Sequence, residues 1–329
     1  MSSFDARDLT FKLDKVRLKA LYQTRPQRHT FDLVLDWAIM LGTITLVNLF
    51  FHPLLYVLAV IIVGARMHAM AILMHDATHY RFLKNRKWND LLTNIFTMYP
   101  VFTSIEVYRK NHLSHHQHLN TEDDPDWVAK LGKREFTFPK TKTEFWMTTL
   151  SYFTLIQGIR DAIWFLKRFG GKDKSSAEAS KAGGRQKLIF YISLAIVLSV
   201  FGLWKIFLFY WVVPYLSTFF MFQYIRSVAE HFGDLAYDHL LTSTRTIKTN
   251  WMERFFLAPH NVSYHLEHHL YPGVPYYHLP QLHDLLMEHT EFQEKAHITR
   301  GYLSGLMKEM GDTNRRQAEA KHTPLAGAA

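Results

Sequence analysis

The sequence predicts an all-α membrane protein, with four transmembrane helices in two hairpins and a helical cytosolic cap that carries a metal site. Three observations point there. Four apolar runs, 31–51, 54–73, 188–203 and 206–225, fall into two closely joined pairs. Three histidine clusters stand beside them: His75-Asp-Ala-Thr-His79, His112-Leu-Ser-His115-His116 and His265-Leu-Glu-His268-His269. The 20 His are accompanied by no Cys at all.

In chain order, residues 1–30 are polar and basic, a cytosolic segment without the apolar core and small-residue cleavage site of a signal peptide. The run 31–51 carries Asp32 and Asp36 near its entrance, and His52-Pro53 breaks it from 54–73, which only Arg66 and His68 interrupt. Crossing the hydrocarbon takes ~20 residues, so the pair reads as a transmembrane hairpin. Residues 76–187 are predominantly basic, and their two partly apolar stretches, 91–103 and 148–166, read as re-entrant or interfacial helices. The Gly-, Ser- and Lys-rich stretch 170–184 reads as a flexible loop. The second pair, 188–203 and 206–225, turns at Lys205. A helix is expected over 279–289 and a flexible tail over 310–329, which leaves 31–309 as one catalytic domain. No repeat of solenoid period is present.

An even number of spans with short connections puts the three large polar parts on one side of the membrane. Their Lys/Arg excess makes that side cytoplasmic, in a bacterial inner membrane or an endoplasmic reticulum. All three histidine clusters then share one face. The net charge of +9 is accounted for by an anionic membrane surface and calls for no nucleic acid.

The absence of Cys excludes disulfides, thiolate zinc sites, iron–sulfur clusters and a cysteine nucleophile. Any metal must be held by nitrogen and oxygen. Histidines three or four apart share a helix face, so each cluster can aim two or three imidazoles at one spot. Neutral imidazole suits zinc, copper, iron and nickel. A catalytic zinc takes about three protein ligands and a structural one about four. Eight histidines overfill one such ion and match a pair. His231, just past the fourth run, is a ninth ligand candidate. Asn261, four residues before His265, reads as a water-mediated ligand or an orienting group. Ligating histidines usually give their second N–H to a carboxylate or carbonyl. Asp76, Glu230, Glu267 and the run Glu122-Asp-Asp-Pro-Asp126 are available for that task, although the acidic run reads first as a solvated turn. His68, a polar group inside an apolar run, reads either as functional or as hydrogen-bonded to a neighbouring helix. His118, His260, His278 and His283 read as solvated or supporting residues.

These clusters, with Arg109-Lys-Asn-His112, Asn120-Thr-Glu-Asp-Asp-Pro-Asp126 and Asn261-Val-Ser-Tyr-His265 through Tyr271-Pro272, resemble the integral-membrane fatty acid desaturase and hydroxylase superfamily. The likeness runs from about residue 75 to 283. It implies four spans, a cytosolic cap and two iron ions (Fe2+) that activate O2. Position by position it implies nine metal ligands: His75, His79, His112, His115, His116, His231, His265, His268 and His269. The first cluster is one residue shorter than in the acyl-CoA branch, and Ser227 stands where that branch has Asn four residues before the isolated histidine. Both departures point to the acyl-lipid-like branch, and His265 argues against front-end desaturases. A cytochrome b5 module does not fit into 30 N-terminal residues, so the expected electron donor is a separate protein of ferredoxin or cytochrome b5 type with its reductase.

The resemblance therefore implies desaturation of a fatty acyl chain, with basic residues at the cytosolic face holding an anionic head group. A hydroxylase or ketolase acting on a lipid or a small amphiphile uses the same ligands and stays open, as does a small amino-acid-related substrate. A zinc intramembrane hydrolase would want His-Glu-x-x-His, whereas Asp76 and Ala77 occupy the second and third positions here. A metal carrier would place its ligands near the bilayer midplane.

Overall fold

The computed structural model describes residues 9–169 and 177–310, with side chains described outside 165–182. It is predominantly helical, and four helices are long and apolar enough to cross a membrane. After α1 (Lys15–Leu21) come α2 (Pro26–Leu49) and α3 (Pro53–Thr78). Each of these long helices opens with proline in its first turn, where the missing N–H costs no intrahelical bond. His52 ends the first approach and caps the second: its Nδ1 accepts from the Leu54 N–H at 3.3 Å. The third long helix is α8 (Ala177–Val200) and the fourth α9 (Trp204–His231), which passes through π-helical stretches at Leu208–Val212 and Tyr215–Phe219 on either side of Pro214.

All four apolar runs become helix over most of their length; α2 and α8 stop at Leu49 and Val200, short of the ends of their runs, whereas α3 and α9 overrun theirs. Polar residues at the ends of a run are carried along once the helix is packed. Thus α3 continues through box one to Thr78, and His231 is the last residue of α9 rather than lying beyond it. The expected helix at 91–103 is instead three pieces: α4 (Arg86–Thr93), a π turn at Asn94–Met98 and a 3-10 turn at Tyr99–Val101. After α5 (Ile105–Gln117), the stretch around 148–166 is two helices, α6 (Lys142–Ser151) and α7 (Ile156–Phe169), parted where Leu155 takes φ 63°. Half of the loop expected at 170–184 is the start of α8, because Ala, Glu and Lys there are good helix formers; residues 170–176 lie outside the described residues. The helix expected over 279–289 stops at Leu286. Of the tail 310–329, all but Met310 lies outside the described residues.

The centre of the fold is α3, in which every residue of 63–78 is buried. Its apolar window is 78% buried against 6% for that of α8, so α8 presents its apolar side chains outward. Two glycines let backbones meet. A Cβ on Gly64 would lie 2.0 Å from the Thr218 Oγ1 and 2.8 Å from the Phe219 amide nitrogen. One on Gly158 would lie 1.7 Å from the Leu216 carbonyl oxygen. Beyond the long helices, a two-stranded parallel sheet pairs Thr246–Lys248 with Ile298–Arg300. It braces α11 (His265–Leu270), which follows α10 (Trp251–Phe256).

Gly158→Ala is expected to separate α7 from α9 and to destabilise the protein by roughly 1–3 kcal/mol, the usual range for overpacking. A thermal melt of the detergent-purified variant that superimposes on the parent would contradict this contact.

Candidate metal centre

Nine imidazoles converge where the C-terminal ends of α3 and α9 meet α5 and α11. His75 is in the last turn of α3 and His79 ends that helix; His112, His115 and His116 come from α5, His231 closes α9, and His265, His268 and His269 come from α11. Their nitrogens form two groups. His75, His79, His112, His116 and His268 make one, and His115, His231, His265 and His269 the other, with the nitrogens of each group all within 4.8 Å of one another. The groups touch, since the His116 and His269 ring centroids are 4.4 Å apart.

Box one keeps both its histidines in the five-nitrogen group, as its spacing suggested, whereas boxes two and three are each divided between the two groups. The helix explains the division. Residues four apart lie nearly in line, so His112 pairs with His116 and His265 with His269. His115 and His268 are rotated about 100° per residue away from those lines and reach the other group.

The nitrogens do not satisfy one another. The His112 Nε2 lies 3.0 Å from both the His79 Nε2 and the His116 Nε2, and the His116 Nε2 is also 3.0 Å from the His268 Nε2. One ring nitrogen offers one hydrogen or one lone pair, in one in-plane direction. The His112 and His116 planes stand at 87°, so a row of hydrogen bonds cannot account for these contacts. In the second group His265 repeats the pattern, at 2.9 Å from His231 and 3.0 Å from His269. Spacings near 3 Å are those of donors at right angles around an ion ~2.1 Å away. The His75 Nε2 is buried with no hydrogen-bond partner among the described residues. This all-nitrogen, convergent donor set fits a pair of transition-metal ions.

Two carboxylates back the rings. The Asp124 Oδ2 is 2.8 Å from the His115 Nδ1, and the Glu230 Oε1 is 3.4 Å from the His265 Nδ1. Asp124 is 0% exposed, which corrects the reading of its acidic run as a solvated turn. It also accepts from the backbone N–H groups of Asn120, Asp126 and Trp127 at 2.8–3.1 Å. The signal for this was Asp124 directly before Pro125, a helix-capping arrangement that turns the carboxylate inward.

Other expected supports work elsewhere. Asp76 accepts from the Tyr276 N–H at 3.0 Å and sits 3.7 Å from the His29 Nδ1, since on α3 it points away from its neighbour His75. Glu267 takes the His283 Nδ1 and the Thr246 hydroxyl. Asn261 is not on the helix of His265: it ends a 3-10 turn with φ 56°, and its amide donates to the Tyr276 carbonyl at 3.1 Å. Ser227 turns its hydroxyl into a cavity, buried and without a partner among the described residues. His68 is fully buried, outside both groups, with both nitrogens likewise unpartnered, so the expected bond to a neighbouring helix is absent; its ring stacks on Phe222. His260 and His283 bond Asp36 and Glu267, and His278 is buried rather than solvated.

A cavity of about 260 Å³ reaches His112, His115, His231 and His265. Met74, Met98, Val101, Phe219 and Phe220 make one part of its wall apolar. Closer to the histidines the wall is polar: Tyr108, Gln223, Ser227, the Arg226–Glu230 pair at 2.6 Å and the Lys130–Asp126 pair at 2.6 Å. Burial, reinforced by Arg81 and Arg109, pushes the His79 ring down to about 3. Burial foremost, and then the neighbouring rings, hold His112, His116, His265 and His268 well below the ordinary histidine range. The rings are therefore neutral near pH 7, the form that binds a cation.

A fatty acid desaturase family model matches residues 19–301, and the chain belongs to that family of oxidoreductases. Among individual relatives, it is 31% identical to the dihydrorhizobitoxine desaturase of Bradyrhizobium elkanii over 79% of this chain and 76% of the relative. It is 23% identical to the sn-1 oleoyl-lipid 12-desaturase of Anabaena variabilis over 83% of each. With the chloroplastic sn-2 acyl-lipid omega-3 desaturase (ferredoxin) of Helianthus annuus it shares 24% identity over 82% of this chain and 64% of the relative.

The depressed rings set the sign of a pH effect. The unfolded chain takes up protons on them first, below about pH 6.5, and the fold resists that uptake. Stability from these rings is thus fully present above about pH 6.5 and drains away as pH falls further. The melting temperature of the metal-free protein should be level between about pH 8 and 7 and decline steadily below about 6.5; a profile that stays level down to about pH 5 would contradict it.

Proposed function

We propose that this chain is a membrane-bound, O2-dependent desaturase that introduces a C=C bond into the alkyl chain of a lipid, with two iron ions held by the nine histidines. The observation that carries this reading is the separation of nine imidazoles into a five-nitrogen and a four-nitrogen group in contact with each other. When bound, ferrous ions supply the redox chemistry with O2 that removes hydrogen from an unactivated methylene, which no side chain here can do. The chain's own residues do the rest. Asp124 keeps the proton of His115 on Nδ1, leaving Nε2 as donor, while the Glu230 carboxylate lies 3.4 Å from the His265 Nδ1 without a hydrogen bond to it. The cavity wall aligns one stretch of substrate against the histidines and keeps bulk water away from the reacting carbon.

In this reading residues 31–309 form one catalytic domain, the four long helices are two membrane hairpins, and the histidine cap lies on the cytosolic face, as the Lys/Arg excess supports. Electrons come from a separate ferredoxin or cytochrome b5 type protein; a relative's name mentions ferredoxin.

One observation favours a second reading of the substrate. The Gln223 Oε1 and the Ser227 Oγ face the cavity without hydrogen-bond partners among the described residues, beside two ion pairs. An alkyl chain there would leave both unpaired, at roughly 1–3 kcal/mol each. A compact amphiphile with polar donors would satisfy them, and the relative at 31% identity is named for a substrate other than a fatty acid.

The test is metal analysis together with product analysis. Purified protein is expected to hold two irons per chain and to consume O2 when given a reductant. His268→Ala and His231→Ala should each empty their own group, and Asp124→Asn should lower iron affinity by about 10–100-fold, the usual range for a group that orients a ligand. Cells expressing the parent but not His268→Ala should gain an alkene. An alcohol in its place would move the assignment to a hydroxylase, and one zinc without O2 uptake would end it.

A further inference from the structure

A second hollow of about 560 Å³ lies on the face of α9 opposite the metal cavity. The metal cavity takes Phe219, Phe220, Gln223 and Ser227 from that helix, whereas this groove takes Met221, Phe222 and Ile225 for its floor. Its walls come from α6, α10 and the segment 302–307. They expose large apolar side chains: Trp251 is 77% exposed, Leu303 59%, Leu150 58% and Met252 51%. Besides the indole N–H groups of Trp146 and Trp251 and the Tyr302 hydroxyl, the polar side chains that line it are Thr149, Asn250 and Glu253, and these three are used internally. The Thr149 hydroxyl donates to the Phe145 carbonyl at 2.8 Å, and the Asn250 side chain caps the Glu253 N–H at 2.9 Å. The Glu253 carboxylate accepts from the Tyr302 and Leu303 N–H groups at 2.8 and 3.1 Å. The groove offers its occupant chiefly apolar contact.

Depth identifies that occupant. The fourth helix has 28 residues, about 42 Å at ~1.5 Å per residue. Positions 221–225 lie roughly 26–32 Å from its start, against ~30 Å of hydrocarbon. The groove floor therefore sits at the boundary between hydrocarbon and head groups on the side that bears the histidines. Trp146 and Trp251 line the groove at that level, where indole rings prefer to lie. Exposed Lys142, Arg254 and Lys308 adjoin groove elements in sequence against one exposed acid, Glu144, so the residues flanking the lining carry a net positive charge.

We propose that this groove holds one acyl chain of an anionic phospholipid, so that α6 and α10 lie within the membrane leaflet rather than in water. The proposal rests on the long helices and the groove, and not on the desaturase reading.

The test uses the full chain reconstituted in phosphatidylcholine–phosphatidylglycerol vesicles whose acyl chains carry bromine near the head group or near the chain end. The emission that disappears in Trp251→Phe is the signal of Trp251, an exposed residue whose replacement leaves the core intact. That signal is expected to be quenched by bromine near the head group, less by bromine at the chain end, and little by aqueous iodide. His268→Ala should give the same pattern, whatever becomes of activity. Native mass spectrometry of the detergent-extracted protein should show one phosphatidylglycerol retained several-fold over phosphatidylcholine. Quenching by iodide but not by bromolipid would overturn the proposal by placing the groove in water. Protection from both quenchers in a protein that sizes as a dimer would overturn it in favour of a second copy. Equal retention of the two lipids would overturn the anionic head group.

Discussion

The rest of the structure depends on holding unprotonated imidazole nitrogens about 3 Å apart in a buried space. Neutral rings at that spacing repel through their lone pairs unless a cation lies between them, and burial denies them water. The polypeptide meets this with rigidity. Two long helices end at the same point, a third helix contributes three rings and a fourth three more, and each ring comes from a turn whose backbone is already hydrogen-bonded. Loops alone would let the rings swing apart to find other partners.

Behind the rings lies a layer of buried polar contacts that fixes the supporting segments. Asp124 gathers three backbone N–H groups in addition to His115, so the turn after α5 cannot move without uncovering a carboxylate. Glu267 ties box three to His283 and Thr246, and Asp76 ties box one to Tyr276. The carboxylates within the boxes thus serve the scaffold, and the one carboxylate hydrogen-bonded to a box ring among the described residues, Asp124, comes from outside them. This division has a physical cause. A residue adjacent to another on a helix points about 100° away from it, so Asp76 and Glu267 face the protein when His75 and His268 face the nitrogen groups.

Much of this was legible in the sequence. Four apolar runs gave four helices, and the eight histidines singled out by spacing converge with His231, which its place past the fourth run and the family resemblance had added. Two kinds of information were hidden. Helix ends depend on packing: hydropathy stops at Leu73 and Ile225, yet both helices continue for a turn or more because tertiary contacts bury their polar ends. Long-range partners were hidden as well. The position of Asp124 before Pro125 marks a cap but does not name His115 as its partner, and nothing local shows that Asn261 would leave the helix of His265 through a left-handed turn. The π-helical stretches around Pro214 left no pattern beyond the proline itself.

The Asp36 carboxylate receives the Arg66 guanidinium at 3.0 Å and the His260 ring at 2.7 Å, while a second Arg66 nitrogen bonds the Phe255 carbonyl. An isolated aspartate or arginine at the centre of a bilayer helix is penalised by about 2.5–3.5 kcal/mol during insertion. Joined across adjacent helices, the two partly neutralise one another, so α2 and α3 suit entry into the membrane together rather than one after the other. Their pairing is completed only when His260 arrives, some two hundred residues later in synthesis. The first long helix, α2, is therefore a late-closing clasp on the segment that presents box three, and its removal would loosen the histidine end of the molecule from a distance.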